Sequence, residues 1–355
     1  MENLEKKRAL ITGITGQDGA YLAKFLLDKG YEVFGVVRRI STPNFWRLKH
    51  LKVLERVTLV QADLTDMSSL SEAIQKTNPH EIYNLAAQSF VGASFYQPLG
   101  SANVNALGVL RILEAVRSFN KNIKVYQAST SELYGSSVSP EFTQSEDTPF
   151  KPNSPYAASK LFSYEIVRIY RESYGMFVSN GILFNHESPL RGLEFVTRKI
   201  TNAVARIKLG LDKELKLGNM NAQRDWGFAP EYVENMWKIL QHDKADDFVI
   251  ATNETHSVKE FVEEAFKSAG LDWKLYVKVD EKFMRPCEVE YLKGDFSKSK
   301  QVLGWEPKTK FKELVAIMVE ADIDRWKRHL NGEMFAWDAP NFSEDVDYLI
   351  RAKDA

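Results

Sequence analysis

Two side chains on one predicted helix have the types and the spacing for proton transfer. Tyr156 and Lys160 stand four residues apart in "SPYAASK", and residues at this spacing lie on one face of a helix. A tyrosine of ordinary pKa, about 10, is a poor base near neutral pH, but a neighbouring ammonium stabilises the phenolate and lowers that pKa. The pair predicts a tyrosine that exchanges a proton with a bound hydroxyl, although the same spacing is common on solvated helix faces.

A hydroxyl and a carboxylate precede this pair in "QASTSELYGSS", residues 127–137. Thr130 ends a predicted strand, where its hydroxyl can hydrogen-bond a reacting oxygen. Glu132 follows two residues later, yet oxidation of an alcohol needs only the hydroxyl and the tyrosine. Glu132 therefore indicates a second proton transfer, unless it is a surface carboxylate of a turn.

A glycine-rich turn, "GITGQDGAYL", joins the first predicted strand to the first predicted helix. Gly13, Gly16 and Gly19 are three residues apart, and glycine permits a tight turn and close approach of the backbone to a phosphate. The N-terminus of the following helix adds unpaired N–H groups and a positive dipole end. An ordinary strand–helix turn is the alternative. The pattern predicts a dinucleotide site that also includes Thr15, Gln17 and Asp18.

The second strand ends in Arg38 and Arg39, followed by Ser41, where NAD sites carry an acidic residue that binds the ribose. Two guanidiniums can pair with a 2′-phosphate, which favours NADP over NAD. A basic surface loop is the alternative.

The third and fourth strands end in further candidate coenzyme contacts. Asp63 and Leu64 are placed to meet the adenine, although Asp63 could equally form a turn or a helix cap. The segment "NLAAQS" would run beside the pyrophosphate and ribose, and it contains Leu85, Ala86, Ala87, Gln88 and Ser89.

Strands and helices alternate over the first half of the chain, and the strands are nearly all apolar. This pattern predicts an α/β fold with a doubly wound parallel sheet. After Asn185 the alternation stops, and a smaller mixed α/β substrate lobe is expected at the C-terminal side. We predict a dinucleotide-binding domain at 1–185 with a late return around 228–252, and a lobe at 186–227 and 253–350.

Composition limits the classes of partner. The chain has 355 residues, a formal net charge of -1 and a single cysteine. The charge gives no general attraction for nucleic acid or anionic membranes, and one cysteine excludes an internal disulfide and a thiolate metal cluster. We expect no metal. With no signal-peptide or membrane-span pattern in the sequence, a reducing, cytoplasmic setting is expected.

Together these segments resemble the extended short-chain dehydrogenase/reductases of the nucleotide-sugar branch, and within them the GDP-mannose 4,6-dehydratase family. The resemblance covers nearly all of residues 8–318 and includes "NGILFNHESP", "RGLEFVTRKI", "LGNMNAQRDWG" and "RPCEVEYLKGD". It implies NADP as coenzyme and a GDP-sugar as substrate. Tyr156 would remove the O4 proton, and Glu132 would take the C5 proton and then protonate the hydroxyl leaving C6. Ser131 stands where thymidine-diphosphate sugar dehydratases carry an aspartate.

The same resemblance assigns residues of the lobe. His186 and Arg191 would contact the coenzyme, with His186 beside the nicotinamide carboxamide. The implied substrate contacts are Ser89, Glu132, Asn185, Lys199, Arg224, Arg285 and Glu288. A lone histidine can also have a structural role, and any one of these charged residues could form a surface salt bridge.

Three departures from the family pattern leave the sugar open. The segment after the arginines reads "RRISTPNFWRLKHL", and Leu190 and Phe228 replace the usual arginine and histidine. A changed lobe could admit a GDP-manno-heptose, and a nucleotide-sugar epimerase or reductase is a further alternative. A homo-oligomer, dimer or tetramer, is expected from the family.

Overall fold

The computed structural model describes residues 6–39, 44–135, 142–283, 287 and 289–333. The predicted Ser41, Arg285 and Glu288 lie outside these residues. The strands are β1 (Arg8–Thr12), β2 (Glu32–Val37), β3 (Thr58–Gln61), β4 (Glu81–Asn84), β5 (Lys124–Ala128), β6 (Val178–Leu183), β7 (Asn185–Glu187), β8 (Leu215–Leu217), β9 (Gln223–Arg224), β10 (Trp226–Phe228), β11 (Phe248–Ile250), β12 (His256–Ser257) and β13 (Val277–Val279). The α-helices are α1 (Gln17–Asp28), α2 (Trp46–His50), α3 (Met67–Thr77), α4 (Val91–Ser94), α5 (Pro98–Ala102), α6 (Gly108–Phe119), α7 (Pro155–Tyr174), α8 (Val196–Lys208), α9 (Ala229–Gln241), α10 (Val258–Ser268), α11 (Ser297–Leu303) and α12 (Phe311–Leu330).

Seven strands form the central sheet in the order β11-β6-β5-β4-β1-β2-β3. Every neighbouring pair in it is parallel. The chain moves outward from β1 in both directions, so the strand order reverses between β1 and β4. This is the doubly wound topology that the sequence predicts, and ligands of such folds bind where the order reverses.

Helices cover both faces of this sheet because its strands are apolar on both sides. One face carries a buried core that includes Ile11, Tyr126 and Met236, with α1 packed beside α9. The other face carries a core that includes Leu10, Ile112 and Val167, under α3, α6 and α7. The return of the chain around 228–252 therefore supplies a helix and the edge strand β11 to the sheet.

The remaining helices build a second core. Helices α8, α10 and α12 pack together around Ile200, Phe261 and Val315. The small parallel pair β8–β13 and the antiparallel pair β9–β12 complete this lobe. It is mixed α/β, as the sequence predicts.

Helices α5 and α6 follow each other along the chain with an irregular turn between them. A π-helical turn over Asn103–Leu107 separates α5 from α6. Asn105 in this turn is buried and bonds the backbone of Gln88 and the hydroxyl of Ser159. Hydrogen bonds from this turn thus connect the segment that follows β4 to helix α7.

Candidate active site

The glycine-rich turn has the geometry of a phosphate loop. Gly13 has a φ of +70°, and a Cβ there would lie 2.8 Å from the backbone nitrogen of Ala86. A Cβ on Gly19 would lie 2.3 Å from the carbonyl oxygen of Gly13. Both positions therefore require glycine. Gly16 precedes α1, and no side chain caps the helix there, so the first N–H groups of α1 fit a coenzyme phosphate.

Gln17 and Asp18, two of the predicted coenzyme residues, bind the segment after β6. Gln17 accepts a 2.6 Å hydrogen bond from the Ser188 hydroxyl and donates to the His186 carbonyl at 3.1 Å. The Asp18 carboxylate lies 2.8 Å from Nε2 of His186. These contacts bind the start of α1 to β7.

His186 is held on both ring nitrogens. Nδ1 lies 2.8 Å from the carbonyl oxygen of Phe184, and the ring stacks on Tyr232. Burial lowers the pKa of His186, but the Asp18 carboxylate more than offsets this and the pKa is raised overall. Burial likewise acts against ionisation of Asp18, yet His186 brings its pKa below the ordinary value. His186, the residue predicted to lie beside the nicotinamide carboxamide, is therefore one member of a partly buried ion pair.

The arginines predicted for the 2′-phosphate lie just beyond β2. Arg38 and Arg39 are both exposed. Asp63, at the end of β3, accepts hydrogen bonds from the backbone nitrogen and the hydroxyl of Thr65, both at 2.8 Å. One of its carboxylate oxygens thus stabilises a turn, while the neighbouring Leu64 is buried.

The segment after β4 is anchored through backbone groups. The N–H groups of Leu85 and Ala86 each donate to the Thr12 hydroxyl at 3.1 Å. The N–H of Gln88 donates to the Asn105 side chain at 2.9 Å. Ala87 is partly buried, and Ser89 is exposed at the end of the segment.

Helix α7 presents the tyrosine and the lysine together. Ser154 caps its start by accepting a bond from Ala157 N, and Pro155 occupies the first turn. Tyr156 and Lys160 are both buried, and the Lys160 ammonium nitrogen lies 6.0 Å from the Tyr156 ring centre. Burial lowers the pKa of Lys160 to about 8. The ammonium donates to the carbonyl oxygen of Ala128 at 2.9 Å.

Thr130 and Glu132 lie close enough to Tyr156 to affect its ionisation. Burial raises the pKa of Tyr156 to about 12, a hydrogen bond with Thr130 acts to lower it, and the Glu132 charge raises it. The expected lowering of this pKa by Lys160 is therefore wrong for this state, because burial dominates. The Thr130 hydroxyl also accepts a bond from the Glu132 N–H at 3.2 Å, which fixes the start of the turn.

The lobe brings Arg191 to the same site. Its charge acts to lower the pKa of Tyr156. Its Nε lies 3.1 Å from a carboxylate oxygen of Glu187, and its guanidinium stacks on Phe195 at 3.6 Å. Burial raises the pKa of Glu187.

Three other predicted substrate residues, Lys199, Arg224 and Asn185, each have different neighbours in the structure. Burial lowers the pKa of Lys199 to about 8, and its ammonium lies 3.5 Å from the ring centre of Phe283. Arg224 is buried and donates to the carbonyl of Val289 at 2.6 Å. Asn185 begins β7, where it lies opposite Trp226.

Arg47 links the two sides of the site, and sequence reasoning missed it. It donates to the carbonyl oxygen of Thr15 in the phosphate loop at 3.1 Å and to that of Leu190 at 2.8 Å. Arg198 and Arg325 both donate to the carbonyl of Pro189. Three arginines therefore hold the backbone immediately before Arg191. Only the unusual segment around Arg47 signalled this in the sequence.

Neither a cluster of metal ligands nor a membrane-spanning helix is found in the described ranges. Within these ranges, no group of three or more His, Cys, Asp or Glu residues is arranged to hold a metal ion. In the same part of the chain, no helix has the length and apolar character needed to cross a membrane.

The chain is similar to known proteins over most of its length. Residues 10–318 match the family model described as GDP-mannose 4,6 dehydratase. GDP-mannose 4,6 dehydratase 1 of Arabidopsis thaliana is 54% identical over 333 residues, which is 91% of each chain. The human GDP-mannose 4,6 dehydratase is 50% identical over 348 residues, or 91% of this chain and 93% of that one.

Solved structures show the same fold. A dTDP-glucose 4,6-dehydratase from Streptomyces venezuelae, solved with NAD bound, superposes with a TM-score of 0.78 at 25% identity, covering 91% of this chain and 98% of that one. A UDP-glucose 4-epimerase from Thermus thermophilus, in complex with NAD, has a TM-score of 0.77 at 25% identity, covering 89% and 98%. On the match of residues 10–318 and on identities of 50% or more to full-length relatives, the chain belongs to the GDP-mannose 4,6-dehydratase family.

Proposed function

We propose that the protein catalyses the NADP-dependent 4,6-dehydration of GDP-mannose to GDP-4-keto-6-deoxymannose, with elimination of water. It would act as a hydro-lyase. The observation that carries the proposal is the grouping of Glu132 with Thr130 and Tyr156, in a chain of the GDP-mannose 4,6-dehydratase family. Elimination across C5 and C6 needs a proton carrier besides the tyrosine, and Glu132 supplies it.

A bound nicotinamide coenzyme would supply hydride transfer, from C4 of the sugar and later back to C6, with no net consumption. Gly13, Gly16 and the start of α1 would hold its phosphates, and the segment 85–89 would lie beside it. Tyr156 would take the O4 proton, with Thr130 orienting that oxygen. Once C4 is a ketone the C5 hydrogen is acidic, and Glu132 would remove it and protonate the departing C6 hydroxyl.

The charges in the site favour proton transfer by Tyr156 and by Glu132 in two successive steps. The Glu132 charge raises the pKa of Tyr156, so a carboxylate and a phenolate disfavour each other. Lys160, whose pKa is about 8, carries a positive charge at neutral pH. That charge would stabilise the phenolate until Tyr156 takes the O4 proton. With the tyrosine then neutral, no phenolate charge opposes the Glu132 carboxylate when it removes the C5 proton.

The choice of NADP rests on Arg38 and Arg39. Both are exposed beyond the carboxyl end of β2, where an adenosine ribose lies in doubly wound dinucleotide sites. Guanidiniums there can pair bidentately with a 2′-phosphate. The two solved structures named above hold NAD, so titration of this protein with NAD⁺ and with NADP⁺ tests the proposed preference.

GDP-mannose is preferred over a heptose substrate because two of the unusual residues have packing roles. Leu190 is fully buried. Phe228 packs against the core of the lobe. Both side chains thus take part in packing, which favours the substrate for which the family is described.

A homo-oligomer is also proposed. Apolar side chains are exposed on the neighbouring elements α5, the turn before α6, and α7, namely Leu99, Leu107, Phe162 and Ile169. Burial of such side chains against a second copy would favour association. Light scattering of the purified protein tests this, and a monomer at micromolar concentration would contradict it.

The central experiment is product analysis. Separate reactions contain the protein, NADP⁺ and one sugar: GDP-mannose, GDP-manno-heptose or UDP-glucose. The masses of the products are measured by mass spectrometry. Loss of one water from GDP-mannose without accumulation of NADPH is expected. Dehydration of the heptose alone would change the substrate but keep the chemistry. Net NADPH formation or an isomer of unchanged mass would refute dehydration.

A further inference from the structure

Three buried polar side chains form a row across the central sheet, ending near Lys160. Thr12 lies opposite Asn84 in the register of β1 and β4, and Asn84 lies opposite Gln127 in that of β4 and β5. Each is at most 2% exposed. The Thr12 hydroxyl lies 2.6 Å from Asn84 Oδ1, and Asn84 Nδ2 lies 2.6 Å from Gln127 Oε1.

Backbone groups determine the direction of every bond in this row. The Thr12 hydroxyl already accepts from the N–H groups of Leu85 and Ala86, so it must donate its proton to Asn84. The oxygen of the Asn84 amide therefore faces Thr12, and its nitrogen faces Gln127. The oxygen of the Gln127 amide accepts the bond from Asn84, so the Gln127 nitrogen is the atom that can donate to a further acceptor.

The row ends at the carbonyl oxygen of Ala128. Gln127 Nε2 donates to it at 2.7 Å, and the Lys160 ammonium donates to the same oxygen at 2.9 Å. A carbonyl has two lone pairs and can accept both bonds. Ala128 is also the last residue of β5, and the chain reaches Thr130 two residues later.

We propose that Gln127 is a positioning residue, which fixes the Ala128 carbonyl oxygen and through it the ammonium of Lys160 beside Tyr156. The kinetic consequence rests on the proposed dehydration, whereas the structural consequence does not. The N–H groups of Leu85 and Ala86 set the direction of the hydrogen bonds in the row. The row therefore connects the expected coenzyme segment to Lys160 through hydrogen bonds. A purely structural alternative is that Gln127 only satisfies buried polar groups.

The surroundings of Lys160 allow these alternatives to be separated. The ammonium faces Tyr156 on its own helix and the Ala128 carbonyl of β5, while Glu132 and Arg191 act on Tyr156. A carboxylate in place of the Gln127 amide would lie beside the ammonium. It should raise the pKa of Lys160 by about one unit or more, which tests that position 127 faces the ammonium. A loss of kcat at unchanged KM on removal of the donor then separates positioning from the mere satisfaction of buried polar groups.

The test measures the pKa of Lys160 directly, in protein labelled with ¹³C at the lysine Cε atoms. The Lys160 signal is assigned by its absence in Lys160→Met. Gln127→Glu should raise its pKa above the wild-type value. Gln127→Met, which has nearly the same shape but no donor, should lower kcat on the order of ten- to a hundredfold, with the KM for GDP-mannose nearly unchanged.

Gln144→Met is the matched control, because Gln144 is fully buried and its amide oxygen bonds the backbone nitrogen of Lys293, away from the row. It should leave the pKa of Lys160 and kcat unchanged. If Gln127→Met does not fold, Gln127→Asn replaces it, since the shorter amide cannot reach both Asn84 and Ala128. An unchanged pKa in Gln127→Glu, or wild-type kcat in Gln127→Met, overturns the proposal. A wild-type protein without dehydratase activity refutes the proposed function, and the pKa measurement still decides the role of Gln127.

Discussion

Nε2 of His186 lies 2.8 Å from the Asp18 carboxylate, so a partly buried ion pair joins the start of α1 to β7. Gln17 adds bonds to the His186 carbonyl and the Ser188 hydroxyl on the same side. The phosphate loop is therefore bound to the segment that leads to Arg191. The proposed coenzyme and substrate sites would share this connection.

Replacing Asp18 by asparagine should lower the free energy of unfolding by about 1.5–3 kcal/mol, because it leaves His186 without its charged partner. The raised pKa of His186 means that its contribution is present below its ordinary value of 6.5 and is lost as pH rises through the raised value. The lowered pKa of Asp18 means that its contribution is present above 3.8 and is lost as pH falls below it. The loss of stability in Asp18→Asn should thus be largest between pH 3.8 and pH 6.5.

Urea denaturation at pH 5.5 and at pH 9 measures this difference. Asp28→Asn is the matched control, since Asp28 ends the same helix but is about half exposed in its ion pair with Lys24. Its effect should stay well under 1 kcal/mol. An equal loss of stability for Asp18→Asn at both pH values would contradict the ion-pair interpretation.

Lys160→Met should stabilise the fold while abolishing turnover. Burial lowers the pKa of Lys160 from 10.5 to about 8, so below pH 8 the folded protein holds a charge that burial disfavours. Removing this charge should raise the free energy of unfolding by about 1–3 kcal/mol at pH 7. Between these two pKa values the unfolded chain binds more protons, so the advantage of the variant should shrink as pH rises.

Thermal or urea unfolding at pH 7 and pH 10 tests the expected stabilisation. Lys24→Met, at an exposed position on the first helix, is the control and should change stability by less than about 0.5 kcal/mol. Destabilisation of Lys160→Met at neutral pH would show that the ammonium is stabilised by more than the Ala128 carbonyl.

The sequence predicts the fold and the centre of the site well where the signal is local. Glycines three residues apart after an apolar strand predict the turn at Gly13 and the close backbone approach at Gly19, because a larger residue fits neither position. The spacing of Tyr156 and Lys160 predicts one helical face. The seven-stranded parallel sheet follows from apolar strands alternating with helices.

The contacts between distant segments could not be predicted from the sequence. Arg47 bonds a carbonyl in the phosphate loop and one beyond the sixth strand, at sequence distances of 32 and 143 residues. No periodicity encodes such a pairing. The pKa of Tyr156 was predicted in the wrong direction for a related reason, since burial depends on the whole tertiary structure. Polar residues at the ends of buried strands, such as Asn84 and Gln127, were the one usable signal of the row near Lys160.

Glu132→Gln should bind NADP⁺ and GDP-mannose normally and lose dehydration by a factor of about 10²–10⁴. The amide keeps the shape of the side chain but cannot take the C5 proton. Exchange of the C5 hydrogen with deuterated solvent, followed by mass spectrometry, measures that step directly. The exchange should disappear in the variant.

Glu165→Gln is the control for this change, because Glu165 lies on the helix of Tyr156 but is exposed and paired with Arg168. It should retain full activity. Full turnover of Glu132→Gln would instead assign the C5 proton to another group.

Replacing Arg38 and Arg39 together by alanine should weaken binding of NADP⁺ by at least about tenfold and leave NAD⁺ binding nearly unchanged. Both arginines are exposed, so their charges are free of the cost of burial and are screened by salt. Their guanidiniums would bind only the 2′-phosphate, which NAD⁺ lacks. Isothermal titration calorimetry with each coenzyme, at low and at high salt, measures the difference.

Arg56→Ala supplies the control, because Arg56 is an exposed arginine of the same domain that faces Asp28 instead of the end of the second strand. Its effect on both coenzymes should be negligible. The wild-type preference for NADP⁺ should fall with added salt, while the double variant should show little preference at any salt concentration. An equal loss of affinity for both coenzymes would mean that the two arginines support the loop rather than the 2′-phosphate, and NADP specificity would have to come from other residues.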